Sequence, residues 1–192
     1  MADASPTWGT WVTHYDSAGQ APTMNITFNE PSNTVASIFF DRMVISLQGN
    51  EPRYKAEGSI GLAGHFPISL PDEFPLAGYL LIVRGIVIKS HDTSAILTAS
   101  IAEKAFVQEW PVTGKVIDVD ADKAEPQDTI EERHFDISCF AGDQHLAIGQ
   151  PPIFPPAPPL ALSLHMQARR RSVDAAIEMH VESLDISMLR AH

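Results

Sequence analysis

Apolar residues in this chain recur at every second position far more often than at every third or fourth, and that regularity restricts it to strands. Between 35 and 48 the odd positions Val35, Phe39, Met43, Ile45 and Leu47 form one row, interrupted by Ser37 and Asp41. From 160 to 170, Leu160, Leu162, Leu164, Met166 and Ala168 alternate with Ser163, His165, Gln167 and Arg169. Segments 95–106 and 133–148 alternate less regularly. In 175–189 the row Ile177, Met179, Val181 resumes as Leu184, Ile186, Met188. That step of three predicts a β-bulge between Val181 and Leu184. Fifteen prolines suit edges and turns rather than helix interiors. The pattern predicts an all-β chain with little helix, folded as an antiparallel β-sandwich or barrel of jelly-roll-like form.

At 192 residues, of which 44% are hydrophobic, the chain suits one domain over 1–192 with ample material for a core. Two stretches read as loops: the acidic segment 115–133 and the proline run at 150–159. A formal charge of −11 repels phosphate backbones and anionic lipid, so nucleic acid and membrane surfaces are poor partners. No apolar stretch reaches the roughly 20 residues needed to cross a bilayer. The first residues carry no basic, then apolar, leader. A cytoplasmic protein is therefore expected, or a secreted one whose signal peptide has been removed.

The segment 79–89 stands apart, because it is apolar on both faces. Leu81, Val83 and Val87 lie on one, and Leu80, Ile82, Ile86 and Ile88 on the other. An antiparallel strand normally wets one face, so this pattern predicts cover on two sides: by a loop, by a second subunit, or by the wall of an apolar ligand cavity. Arg84 interrupts the second row as Asp41 interrupts that of Phe39 and Met43. Two charges in inward rows are expected to meet, which predicts an Asp41–Arg84 pair.

Familiar catalytic motifs do not occur. The run Asp118-Val119-Asp120-Ala121-Asp122 resembles a calcium loop but has Lys123 and Thr129 where glycine and glutamate are required. The single cysteine, Cys139, follows Phe135 and Ile137 at strand spacing and reads as buried and inert. The histidines are scattered. His165 and His180 lie on strands that could pair, but no metal-ligand spacing is present, and neither a metal nor a cofactor is expected. Trp8, Trp11 and Tyr15 read as an aromatic plug. Asn25-Ile26-Thr27 is a glycosylation sequon, relevant only to a secreted chain.

Several segments together resemble a family of small fungal secreted β-sandwich proteins of unknown function. They are Ser32 to Asp41, Val83-Arg84-Gly85, Leu160 to Arg169, and Val181-Glu182-Ser183-Leu184-Asp185. Members of that family carry disulfides, one cysteine preceding the strand that here starts near Leu160. Those cysteines are missing, which marks a divergent member. By analogy, small fungal proteins without catalytic motifs include hetero-Diels–Alder cyclisation enzymes of natural-product pathways.

These observations lead to one expectation and two competitors. The first is binding of a small apolar organic molecule in a cavity, with pericyclic cyclisation by positioning and hydrogen bonding. Arg84 and His165 would be its catalytic donors, and Trp110, Tyr79 and His65 its substrate-binding residues. A competitor is a non-catalytic secreted module that binds carbohydrate or protein through an outer sheet face. The other is a homo-oligomer that buries the two-faced strand.

Overall fold

The computed structural model describes residues 5–16, 24–48, 56–72, 74–90, 92–103, 116–118, 130–142 and 160–190. The described residues form strands and connecting turns, with no helix among them. The first five strands are β1 (Thr7–Trp8), β2 (Val12–Asp16), β3 (Met24–Phe28), β4 (Val35–Phe40) and β5 (Val44–Leu47). Next come β6 (Glu57–Phe66), β7 (Ile68–Ser69), β8 (Leu76–Lys89) and β9 (Thr93–Glu103). The rest are β10 (Val116–Asp118), β11 (Glu131–Gly142), β12 (Leu160–Arg170) and β13 (Ile177–Arg190).

Every pairing is antiparallel. β4 pairs with β13, β6 with β12, β8 with β11 and β9 with β10, nested pairs that fall alternately into one sheet and the other. β13 also pairs with β8, and β12 with β9, which joins the pairs into two sheets. One has the order β10-β9-β12-β6-β2 and the other β11-β8-β13-β4-β3, with β5 beside β13. Alternate nesting of this kind is the jelly-roll form of the β-sandwich. A short ribbon of β1 and β7 lies apart.

The even residues of β12 and the odd residues of β9 face inward against Leu81, Val83, Val87, Ile177, Met179 and Val181. One hydrophobic cluster results, drawn from both sheets. Trp8 and Trp11 meet Phe66 edge-on, with ring centroids 5.5 and 5.0 Å away, and Trp8 stacks on Phe28. Trp8 and Trp11 thus pack as a plug over Phe66, and the side chain of Tyr15, the third expected member, lies outside what the structure describes. Arg170, only 1% exposed, caps the turn that carries the chain from one sheet to the other: its Nη1 donates to the carbonyls of Val173 and Ala175.

The bulge lies where the step of three places it. The β8–β13 register shifts between Val181 and Ser183, so Val181 and Leu184 are both buried and Glu182 is exposed. The neighbouring strand breaks phase at the same level. β4 ends at Phe40, a bend occupies Asp41 and Arg42, and Met43 starts the next segment; Phe40 and Met43 are both buried. Hence the single odd-numbered row from Val35 to Leu47 does not exist. Ala36, Ile38 and Phe40 face the core, Phe39 is 47% exposed, and Asp41 lies exposed in the bend.

Two further expectations change. Residues 116–118 of the acidic segment form β10, and Glu131 to Arg133 already belong to β11. The proline run lies outside the described residues. The inner side of β8 is fully buried, but Leu80, Ile82, Ile86 and Ile88 are only half-buried. Among the described residues no second layer covers them.

Candidate functional site

The outward residues of β8 run along the strand between β11 and β13 in the six-stranded sheet, and the register fixes their neighbours. Ile88 lies between Glu132 and Glu178, and Ile86 between His134 and His180. Arg84 lies between Asp136 and Ser183, Ile82 between Ser138 and Asp185. β4 extends the face with Ser37 beside Asp185 and Phe39 beside Ser183; Thr27 and Asn25 of β3 complete those rungs. The result is a central aliphatic stripe with hydrogen-bonding and acidic side chains on both flanks.

Arg84 divides the stripe and ties three strands together. Its Nη1 donates to Asp185 Oδ2, and its Nε lies 3.4 Å from Asp136 Oδ2. Ser37 Oγ donates to the other Asp185 oxygen at 2.6 Å, so both oxygens of that carboxylate are held. Hydrogen bonding to Asp185 first, then the negative charges of Asp185 and Asp136, raise the Arg84 pKa above its already high value. The guanidinium stays charged wherever the fold persists. Its side chain is nevertheless 43% exposed, and Nη2 makes no hydrogen bond among the described residues. Two carboxylates thus present a fixed donor edge to solvent.

The expected Asp41–Arg84 pair is not formed. Arg84 faces outward, where water and two carboxylates across the strand satisfy it, and Asp41 lies in the phase-breaking bend. Sequence reading missed Asp185, Asp136 and Ser37. Asp185 could have been marked, since it alternates with Leu184 and Ile186 once the bulge is placed. Its proximity to Arg84 depends on strand order, which no local pattern encodes.

The remaining candidate residues scatter. Tyr79 is 2% exposed and belongs to the core side of β8, facing away from Arg84's surface. His165 is exposed on the outer face of the five-stranded sheet, between Gly61 and Thr98. His65 is half-buried on that same face, beside Ala161 and Val12. Trp110 lies outside the described residues. Arg84, Tyr79 and the two histidines therefore occupy three separate surfaces and line no common cavity. His165 and His180 do not approach each other, because β12 and β13 belong to opposite sheets and both histidines point outward. Among the described residues no three His, Cys, Asp or Glu side chains converge.

Two open depressions accompany these faces. One, of about 340 Å³, lies on the five-stranded sheet among Glu57, Ser59, Ser94, Ile96, Gln167 and Arg169. The other, of about 420 Å³, continues the β8 stripe at the Ile88 end and includes Ile130, Asp174 and Glu178.

No protein-family model and no curated protein sequence matches the chain. Solved structures are similar to it in fold. One is a chain of infectious bursal disease virus, Gx strain, with TM-score 0.33 and 14% identity, covering 96% of this chain and 32% of that chain. This protein thus spans about a third of the viral chain's length. A lipoprotein from Bacteroides thetaiotaomicron has TM-score 0.32 and 12% identity, with 96% and 98% of the two chains covered. The CBM22-1 xylan-binding domain of Paenibacillus barcinonensis Xyn10C has TM-score 0.27 and 11% identity, with 96% and 90% covered. These likenesses concern β architecture alone.

Proposed function

We propose that this protein is a recognition module that holds a partner protein against the outer face of its six-stranded sheet. The observation that carries the reading is the β8 stripe. Leu80, Ile82, Ile86 and Ile88 form an apolar track, parted by Arg84, on a strand inside the sheet, with Phe39 two strands away on the same face and no layer over it among the described residues. Contiguous apolar surface rimmed by polar groups is the usual form of an interaction site. Arg84, locked by Asp136 and Asp185, supplies oriented donors at its centre, and the flanking serines and carboxylates supply a rim. Such a surface works by complementarity, without bond-making.

The depression on the five-stranded sheet supports a second reading, carbohydrate binding. Its small and polar lining suits sugar hydroxyls. A single experiment separates the two. The protein and its Ile82→Asp and Gln167→Ala variants are tested against a peptide array and a panel of soluble polysaccharides, with circular dichroism confirming the fold. Peptide binding lost in Ile82→Asp and kept in Gln167→Ala supports the main reading. Polysaccharide binding lost only in Gln167→Ala supports the second and overturns the first.

A further inference from the structure

We infer that the partner engaging the β8 face is an extended, basic protein segment, anchored by an arginine or lysine side chain in the depression at the Ile88 end. This rests on the reading just given and adds the chemistry of the partner. The stripe from Leu80 to Ile88 covers eight residue steps, about 26 Å at roughly 3.3 Å per residue, enough for one extended strand of similar length. Its charge is uneven along that length. Beside Leu80 stands the uncharged Ser187, while on the Ile82 rung Ser138 and Ser37 already share their level with Asp185. From there towards Ile88 carboxylates predominate: Asp185 beside Ile82, Asp136 and Glu182 near Arg84, then Glu178 and Glu132 beside Ile88, with His134 and His180 flanking Ile86 between them. Among the described residues of these rungs, Arg84 is the arginine already shared by two carboxylates, and His134 and His180 lie against Glu132 and Glu178.

The depression joins the two properties. Ile88 and the 74% exposed Ile130 give it an apolar wall, while Asp174 and Glu178, the latter also meeting His180 Nε2 through Oε1, give it carboxylates. Lys89 also lines it, but that side chain is 1% exposed and engaged within the fold. A long basic side chain satisfies both kinds of lining at once: its methylene stem covers the isoleucines and its charged head meets the carboxylates. Among possible occupants, a second copy of this chain would bring the same acidic face to an acidic face, and its net charge of −11 opposes the encounter. Anionic lipid and nucleic acid are opposed for the same reason. A basic segment is attracted from a distance and matched on contact.

The test uses fluorescence anisotropy with labelled nine-residue peptides of alternating isoleucine and threonine. One carries two arginines at one end, and its control carries two glutamates there. The protein is compared with an Asp174→Asn, Glu178→Gln double variant and with Ile86→Ser. The arginine peptide is expected to bind at least about tenfold tighter than the glutamate peptide, and to weaken as salt rises. Partly exposed ion pairs of this kind change affinity several-fold each, so the double variant should lose about five- to tenfold for the arginine peptide alone. Equal binding of both peptides, or an unchanged affinity in the double variant, overturns the basic anchor. If Ile86→Ser still abolishes that binding, the docking face itself survives. Concentration-dependent self-association abolished by Ile86→Ser would overturn the inference in favour of a second copy.

Discussion

Gly85 offers the sharpest test of how this face is built. It lies opposite Val181, at the first residue of the β13 bulge, with its missing side chain on the core side. A Cβ there would fall far inside van der Waals contact with the His180 carbonyl oxygen, and 2.5 Å from Phe135 Cζ. The Phe135 ring can rotate away, but the carbonyl cannot, because it belongs to the neighbouring strand. In Gly85→Ala, β13 must retreat from β8 by roughly 1.4 Å to restore ordinary contact near 3.5 Å. Loss of about two ladder hydrogen bonds, at about 1–1.5 kcal/mol each, then accompanies the repacking of Phe135, another ~1 kcal/mol. The stiffer unfolded chain returns about 0.4–1 kcal/mol. The net expectation is a loss of about 3 kcal/mol, or roughly 6–12 °C in Tm for a chain of this size. Urea unfolding followed by tryptophan fluorescence measures it. Gly58→Ala is the control: its Cβ would meet only the side-chain tips of Ile45 at 3.0 Å and Leu47 at 3.4 Å. A Gly85→Ala protein as stable as Gly58→Ala would refute the reasoning. Adding Phe135→Leu to Gly85→Ala should recover less than half of the loss, since the carbonyl clash remains.

Other consequences are testable in the same way. Arg84→Met should fold, and lose no more than about 1 kcal/mol, because its partners are half-exposed and screened; differential scanning fluorimetry at low and high salt should show the gap closing as salt rises. Asp41→Ala should change stability by less than about 0.5 kcal/mol, as expected of an exposed bend residue, whereas a loss of several kcal/mol would restore the buried pair with Arg84. Arg170→Met should cost about 2–4 kcal/mol by stranding the carbonyls of Val173 and Ala175, with hydrogen exchange rising first in residues 171–176.

Much of the fold was legible because alternation is a local property. The row from Leu160 to Ala168 maps onto β12 without a shift, and the step from Val181 to Leu184 located the bulge to the residue. The failures share one cause. Whether Asp41 continued the row of Phe39 depended on a bend that breaks phase opposite the bulge of another strand, and only the assembled sheet shows that the two breaks coincide. Arg84 was marked as exceptional, yet its partners Asp136 and Asp185 come from strands far away in sequence. The two-faced character of β8 was read as double burial, but a strand's outer face can be half-buried simply by flanking side chains of its own sheet. His165 was read as a donor from within the polar row it shares with Ser163, Gln167 and Arg169, and it occupies an ordinary outward position there.

The order of strands also has a meaning for how the molecule is made. β12 and β13 are the last of the described strands to leave the ribosome, and each is the middle strand of its sheet. Until they emerge, β9 with β10, β6 with β2, β8 with β11 and β4 with β3 are four ribbons with open edges, and neither sheet can close. Residues 160–190 therefore act as a paired keystone. The nascent chain carries the apolar strand β8 with its β13 edge open until residues 177–190 are made, which is when it has most need of a chaperone.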